Sequence, residues 1–200
     1  ASSTILSMDR ALTASKVIVT WSKAMPQMAG KELTEIAQQL HLSIELTIQT
    51  LHPAGAIYFR MDEGDVQNIL KHPEVMIGSD GLPHDEFPHP RLWGSFTKVL
   101  GHYSRDLGLF PLESAVRKMT SVTAKNFRLQ NRGEIKAGFF ADLTLFDPLR
   151  INAKSSYESP LEPSQGIIAV WVNGEMVFDN GSTTGKLVGR VLKHESQAVH

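Results

Sequence analysis

Cysteine is absent from these 200 residues. The chain therefore carries no disulfide framework and no thiolate metal site of its own. Long apolar runs are missing as well. No window reaches the roughly 18 consecutive apolar residues that a membrane-spanning helix requires, and no secretory signal pattern opens the sequence. An excess of one charge is also missing. Lys and Arg number 20 and Asp and Glu 21, a formal net charge of -1. Nothing here draws the chain electrostatically to nucleic acid or to an acidic membrane. These absences give the expectation of a cytoplasmic protein without nucleic-acid or membrane partners. An initiator Met is lacking too. Ala1-Ser2-Ser3-Thr4 runs straight into a folded-looking pattern, which reads as a processed chain or a piece of a longer polypeptide.

What is present is ordinary for a globular chain. Hydrophobic residues make up 42% and charged residues 20%, and the length suits one or two domains with a real core. Lys16 to Trp21 is a β-branched run and predicts a strand. Leu33, Ile36, Ala37 and Leu40 fall at helical spacing, and Leu42 to Leu51 predicts a second helix stopped by Pro53. Ala54 to Phe59 predicts a strand. "DEGDVQNILKH" predicts a helix with acids in its first turn and a cation in its last, as the helix dipole favours. Val75 to Ser79 predicts a buried strand. Further helices are expected over 96–107, over 111–120 with Pro111 as the first helical residue, and around 122–127. Strand, helix, strand, loop, helix is the grammar of a parallel α/β sheet. From Gly133 onward the pattern becomes all-β, with "ADLTLF", "GIIAVWVNGEMVFDNG" and "GKLVGRVLK" as strand-forming stretches. Asn173-Gly174 predicts a hairpin turn, because a type I′ turn needs positive φ at both central residues. Residues 150–165 read as a loop.

The chemistry concentrates in "MIGSDGLPHDEFPHPRLWG", residues 76–94. An apolar run ends in Asp80 just as a loop begins, and loops at strand ends are where α/β proteins place catalytic groups. Asp80 is either a catalytic or metal-binding carboxylate or the Asp of an Asp-Gly turn. His84 and His89, with Asp85 and Glu86, do not have the spacing of a compact zinc site. Glu86 is read as a backbone cap, and His84 as either a cap or a group that helps position substrate. Arg91 carries a guanidinium fork suited to a carboxylate, or to a surface ion pair.

Three stretches carry a family resemblance: "IGSDGLPHDEFPHPRLWG", "FTKVLGHYSRDLGLFPLESAVRKMTSVTAKNFRL" and "RGEIKAGFFADLTLFDP". Together they resemble the C-terminal part of the D-aminoacylases, the N-acyl-D-amino-acid deacylases of the amidohydrolase superfamily. The opening "ASSTIL" resembles the segment that follows a Tyr-Pro-Tyr motif in that family. The resemblance implies the C-terminal part of a metal-dependent (β/α)8 TIM barrel followed by a small β-sandwich unit. The expected division is 1–132 for the barrel part, 133–194 for the β unit and 195–200 for a tail. It implies hydrolysis of N-acyl-D-amino acids with zinc, Asp80 serving as metal ligand and acid/base at the end of the eighth barrel strand. Arg91 would grip the substrate α-carboxylate, with Ser3 and His84 as further substrate-binding residues. The family's other metal ligands are expected upstream of Ala1, so the missing N-terminal part is itself an expected partner, and the chain alone is expected to be inactive. A homo-oligomer is compatible with this reading. The alternatives are a non-catalytic C-terminal association module and, among enzymes, a dihydroorotase-like cyclic amidase.

Overall fold

The structure, a computed structural model, describes residues 4–83 and 85–192. The chain forms two compact units. The first draws on residues up to Val66, on Ser79–Gly94 and on Ser155–Pro163; the second on Gln67–Gly78, Ser95–Lys154 and residues from Ser164.

In the first unit three strands, β1 (Thr4–Ile5), β2 (Lys16–Ser22) and β3 (Ala54–Phe59), form one sheet in the order β1-β3-β2. Helix α1 (Met8–Thr13) joins β1 to β2. Between β2 and β3 the chain builds α2 (Leu33–Leu40) and α3 (Ile44–Leu51). Leu33, Ile36 and Ala37 bury one stripe of α2 at the expected spacing, and Ile48 and Leu51 do the same for α3. Ser43 caps α3 by accepting the Leu46 amide at 3.3 Å. These stripes meet Val17, Val19, Ala54 and Ala56 of the sheet in one core. Each fully buried Leu or Ile there contributes about 1.5–3 kcal/mol of burial free energy.

Both strand pairings are antiparallel, so the expectation of a parallel sheet is corrected. A single crossover helix returns the chain for a parallel strand, whereas two helices in succession leave the next strand running the opposite way. The predicted strand over 75–79 is also corrected. Residues 75–80 have no regular structure, and Met76 is 37% exposed. A strand exists only through a neighbouring backbone. Here the Ile77 amide donates to the Lys118 carbonyl at 3.3 Å, a bond to a helix and not to a ladder. The Lys118 ammonium donates to the His72 carbonyl and lies over the Phe110 ring, 5.6 Å from its centroid. Burial pushes the Lys118 pKa down, with Arg117 adding to the shift and Glu74 opposing it.

Helix α4 (Glu63–Lys71) has the expected charges at its ends, and α5 spans Arg91–Lys98. The helix expected over 96–107 begins earlier, at Arg91, and continues beyond α5 as a π-helical stretch, Val99–Asp106. Gly101 in that stretch lies so close to the Ile151 carbonyl that a Cβ would stand 2.4 Å from it. Next come α6 (Leu112–Met119) and α7 (Ser121–Asn126). Pro111 is the N-cap of α6, one position before its first helical residue.

The second unit holds a four-stranded antiparallel sheet of β4 (Leu143–Phe146), β5 (Ile167–Val172), β6 (Glu175–Asp179) and β7 (Ser182–Thr183), in that order. Asn173 and Gly174 take φ of 51° and 84°, as the β5–β6 hairpin requires. "GKLVGRVLK" does not form a strand over its described residues, and Leu187 in it is 98% exposed. The "RG…AD" stretch builds a clamp. The Arg132 guanidinium pairs with Asp142, donates to Asn173 Oδ1 at 2.9 Å and stacks on Phe140 at 4.3 Å. The Asn173 amide in turn donates to Asp142 Oδ1 at 2.8 Å. These motif residues therefore tie a loop to the hairpin.

Candidate functional site

Asp80 and Arg91, eleven positions apart, meet in the first unit. Arg91 Nη2 lies 2.8 Å from Asp80 Oδ2; the Arg91 side chain is 15% exposed and that of Asp80 68%. Asp80 has φ of 46°, in the left-handed region that Asp and Asn tolerate better than other side chains. The next residue makes the meeting sterically feasible. A Cβ on Gly81 would stand 2.6 Å from Leu92 Cδ1 and 2.8 Å from Leu92 Cα. Only a bare residue lets the start of the loop close on the first turn of α5, and that closure brings Asp80 to Arg91.

The rest of the loop is fastened from below. The Phe87 amide donates to the Thr20 carbonyl of β2 at 3.0 Å, and the Phe87 ring lies against Gly30, where a Cβ would stand 3.0 Å from it. Pro88 is fully buried. Arg91 is thus the first residue of a helix rather than part of the loop, and its side chain is presented from a rigid element. Its amide is one of the donors that a helix start leaves without an intrahelical partner. The His89 ring takes it, with Nδ1 accepting at 3.0 Å. His89 also meets Tyr157, with Nε2 3.4 Å from the phenolic oxygen and the rings edge to face at 5.3 Å. Burial raises the Tyr157 pKa and the Arg91 charge opposes the rise, so the phenol stays protonated at neutral pH.

Of the residues singled out from sequence, Asp80 and Arg91 are brought together; Ser3 and His84 lie outside the described residues. Tyr157 was not legible as a site residue. It sits in a Ser-, Asn- and Pro-rich loop 68 positions from His89, and no periodicity links the two. A lone aromatic in a polar loop was the available sign.

The arrangement offers one exposed carboxylate beside a largely buried guanidinium. Among the described residues no three His, Cys, Asp or Glu side chains gather as metal ligands. A zinc site takes about three protein ligands, so the described residues do not by themselves fit a metal. Zinc titration calorimetry on the 200-residue chain should accordingly show no saturable binding at micromolar strength. A stoichiometric micromolar site would mean that this chain holds a complete centre of its own.

A model of the amidohydrolase family matches residues 27–178. This chain belongs to the amidohydrolase family. Within it, the chain is 54% identical over 192 residues to the D-aminoacylase of Alcaligenes xylosoxydans xylosoxydans, covering 96% of this chain and 40% of that protein. A solved D-aminoacylase structure, described by its binuclear metal centre, superposes with a TM-score of 0.90 at 53% identity, over 96% of this chain and 40% of that one. The N-acyl-D-glutamate deacylase of Bordetella bronchiseptica, complexed with zinc and a phosphonate mimic of the tetrahedral intermediate, superposes with a TM-score of 0.87 at 45% identity, over 90% and 38%. The resemblance to D-aminoacylases is borne out, and the amidohydrolase chain spans about two fifths of the length of the relatives it matches. No helix among its described residues is long and apolar enough to cross a membrane.

Proposed function

We propose that the protein to which this amidohydrolase chain belongs hydrolyses N-acyl-D-amino acids to a D-amino acid and a carboxylate. The observation that carries this is the 54% identity to a D-aminoacylase across almost the whole chain. In this reading Arg91 binds the α-carboxylate of the substrate, and its fork matches two carboxylate oxygens. Asp80 accepts a proton from the attacking water and returns it to the leaving nitrogen as the amide C–N bond breaks. Ser3 and His84 are proposed to help hold the substrate. Zinc is the proposed metal, with Asp80 as one ligand and the others outside the described residues; the zinc complex of the Bordetella bronchiseptica N-acyl-D-glutamate deacylase supports this. The same proposal keeps the finer expectations: part of a (β/α)8 barrel over 1–132, a small β unit over 133–194, a tail over 195–200, and a cytoplasmic location. The all-β character of the chain after Leu143 supports that division.

The test is an assay of the purified protein, as its gene encodes it and loaded with zinc, on N-acetyl-D-amino acids of neutral, Asp and Glu type. Release of the free D-amino acid, with the L-enantiomers much poorer, is the expected result. No release from any of the three types would overturn the reading.

A further inference from the structure

We propose that Tyr157, acting through His89, is a positioning residue for Arg91 and thereby for recognition of the substrate carboxylate. The proposal rests on the reading that Arg91 binds that carboxylate. Four contacts carry it. Because the Arg91 amide donates to His89 Nδ1 at 3.0 Å, the proton of the neutral imidazole sits on Nε2. That N–H then faces the Tyr157 oxygen at 3.4 Å, a long hydrogen bond, which the edge-on ring contact at 5.3 Å supports. The Tyr157 ring is itself held against Phe59 of β3, with centroids 4.6 Å apart. Two residues before Tyr157, Ser155 Oγ donates to the Pro90 carbonyl at 2.9 Å. The segment from Ser155 thus grips both residues that precede Arg91, and through His89 it fixes the Arg91 amide itself.

This matters because a bidentate guanidinium–carboxylate pair is directional. Asp80 already occupies one arm of the fork, so a substrate carboxylate must share or displace it. A small tilt of the first turn of α5 would favour one partner over the other. The phenol keeps its proton and accepts from His89, so it can hold the imidazole without competing as an anion for Arg91.

The test uses Tyr157→Phe in the protein as its gene encodes it. The ring and its packing on Phe59 remain; only the oxygen goes. KM for N-acyl-D-amino acids should rise about three- to tenfold, the range expected for one hydrogen bond, with kcat within about twofold of the parent. KM for a neutral analogue carrying a carboxamide in place of the carboxylate should not change. Hydrogen exchange at the Arg91 amide, followed by NMR, should quicken at least about threefold, because its acceptor ring is less firmly held. If the amide exchanges as in the parent and KM is unmoved, the proposal fails. An equal rise in KM for the acid and the carboxamide would also overturn it, since the hydroxyl would then serve general packing. Should the parent hydrolyse no N-acyl-D-amino acid, the functional reading fails instead, and the exchange rate at Arg91 still decides whether Tyr157 positions it.

Discussion

Replacing Asp80 by Asn in the protein as its gene encodes it should lower kcat by about two to four orders of magnitude, the span typical of removing a positioned proton-transfer group. The fold should barely notice. The Asp80 side chain is 68% exposed, and an Asn there still presents an amide oxygen to the Arg91 fork, so little stability is lost. Asn is also the replacement that respects the backbone. At φ of 46° most side chains cost roughly 1–2 kcal/mol, whereas Asn enters that region readily. Asp80→Ala would mix strain with lost chemistry; Asp80→Asn separates them. The melting temperature should therefore stay within a few degrees while activity collapses. Binding should move the other way from turnover. Asn cannot compete for the Arg91 fork as a charge, so a product or inhibitor bearing a free carboxylate should bind at least as tightly as to the parent. Activity within tenfold of the parent would remove Asp80 from the reaction.

How much of this was readable beforehand depends on the range of the interaction concerned. The stripes of α2 and α3 are local, and Leu33, Ile36 and Ala37 announced which face would be buried. The β5–β6 turn is local too, since Asn173-Gly174 supplies the two positive φ values within two residues. Strands are not local. Val75 to Ser79 has the composition of a strand, yet Ile77 bonds to the last turn of α6, and composition cannot say which backbone lies alongside. Strand direction was lost for the same reason: it depends on how α2 and α3 carry the chain round, and not on β2 or β3 themselves.

The site divides in the same way. Asp80 stood out by its place after an apolar run and Arg91 by its guanidinium fork, and the family resemblance implied their roles, but nothing in an eleven-residue spacing says that the two touch. That follows from Gly81, whose missing side chain lets the loop close on Leu92. The Arg132 to Asp142 stretch was legible as a family motif and illegible in purpose. Only the pairing of Arg132 with Asp142 and its bond to Asn173 show that these residues secure a hairpin. Tyr157 needed tertiary contact to be seen at all.

Arg91→Ala should reduce kcat/KM for N-acyl-D-amino acids by roughly 2–4 kcal/mol, about 30- to 1,000-fold. The guanidinium is 15% exposed, so water screens it weakly, and a bound carboxylate would feel most of its charge. The backbone contacts of the site do not depend on that side chain. The bond to His89 is made by the Arg91 amide, and the Leu92 amide still reaches the His89 carbonyl at 3.0 Å, so the start of α5 should persist. Asp80, freed of its partner, faces water and carries little desolvation cost. The loss should therefore fall on substrate binding and not on folding. Arg91→Lys adds a second reading. It restores a positive charge without the planar fork, so it should recover part of the affinity but not all of it. The deciding comparison is the carboxamide analogue of the same substrate. If Arg91 grips the carboxylate, Arg91→Ala costs the acid far more than the carboxamide, and the parent's preference for the acid disappears. Equal impairment on both would make Arg91 a structural partner of Asp80, and the carboxylate would have to be bound elsewhere.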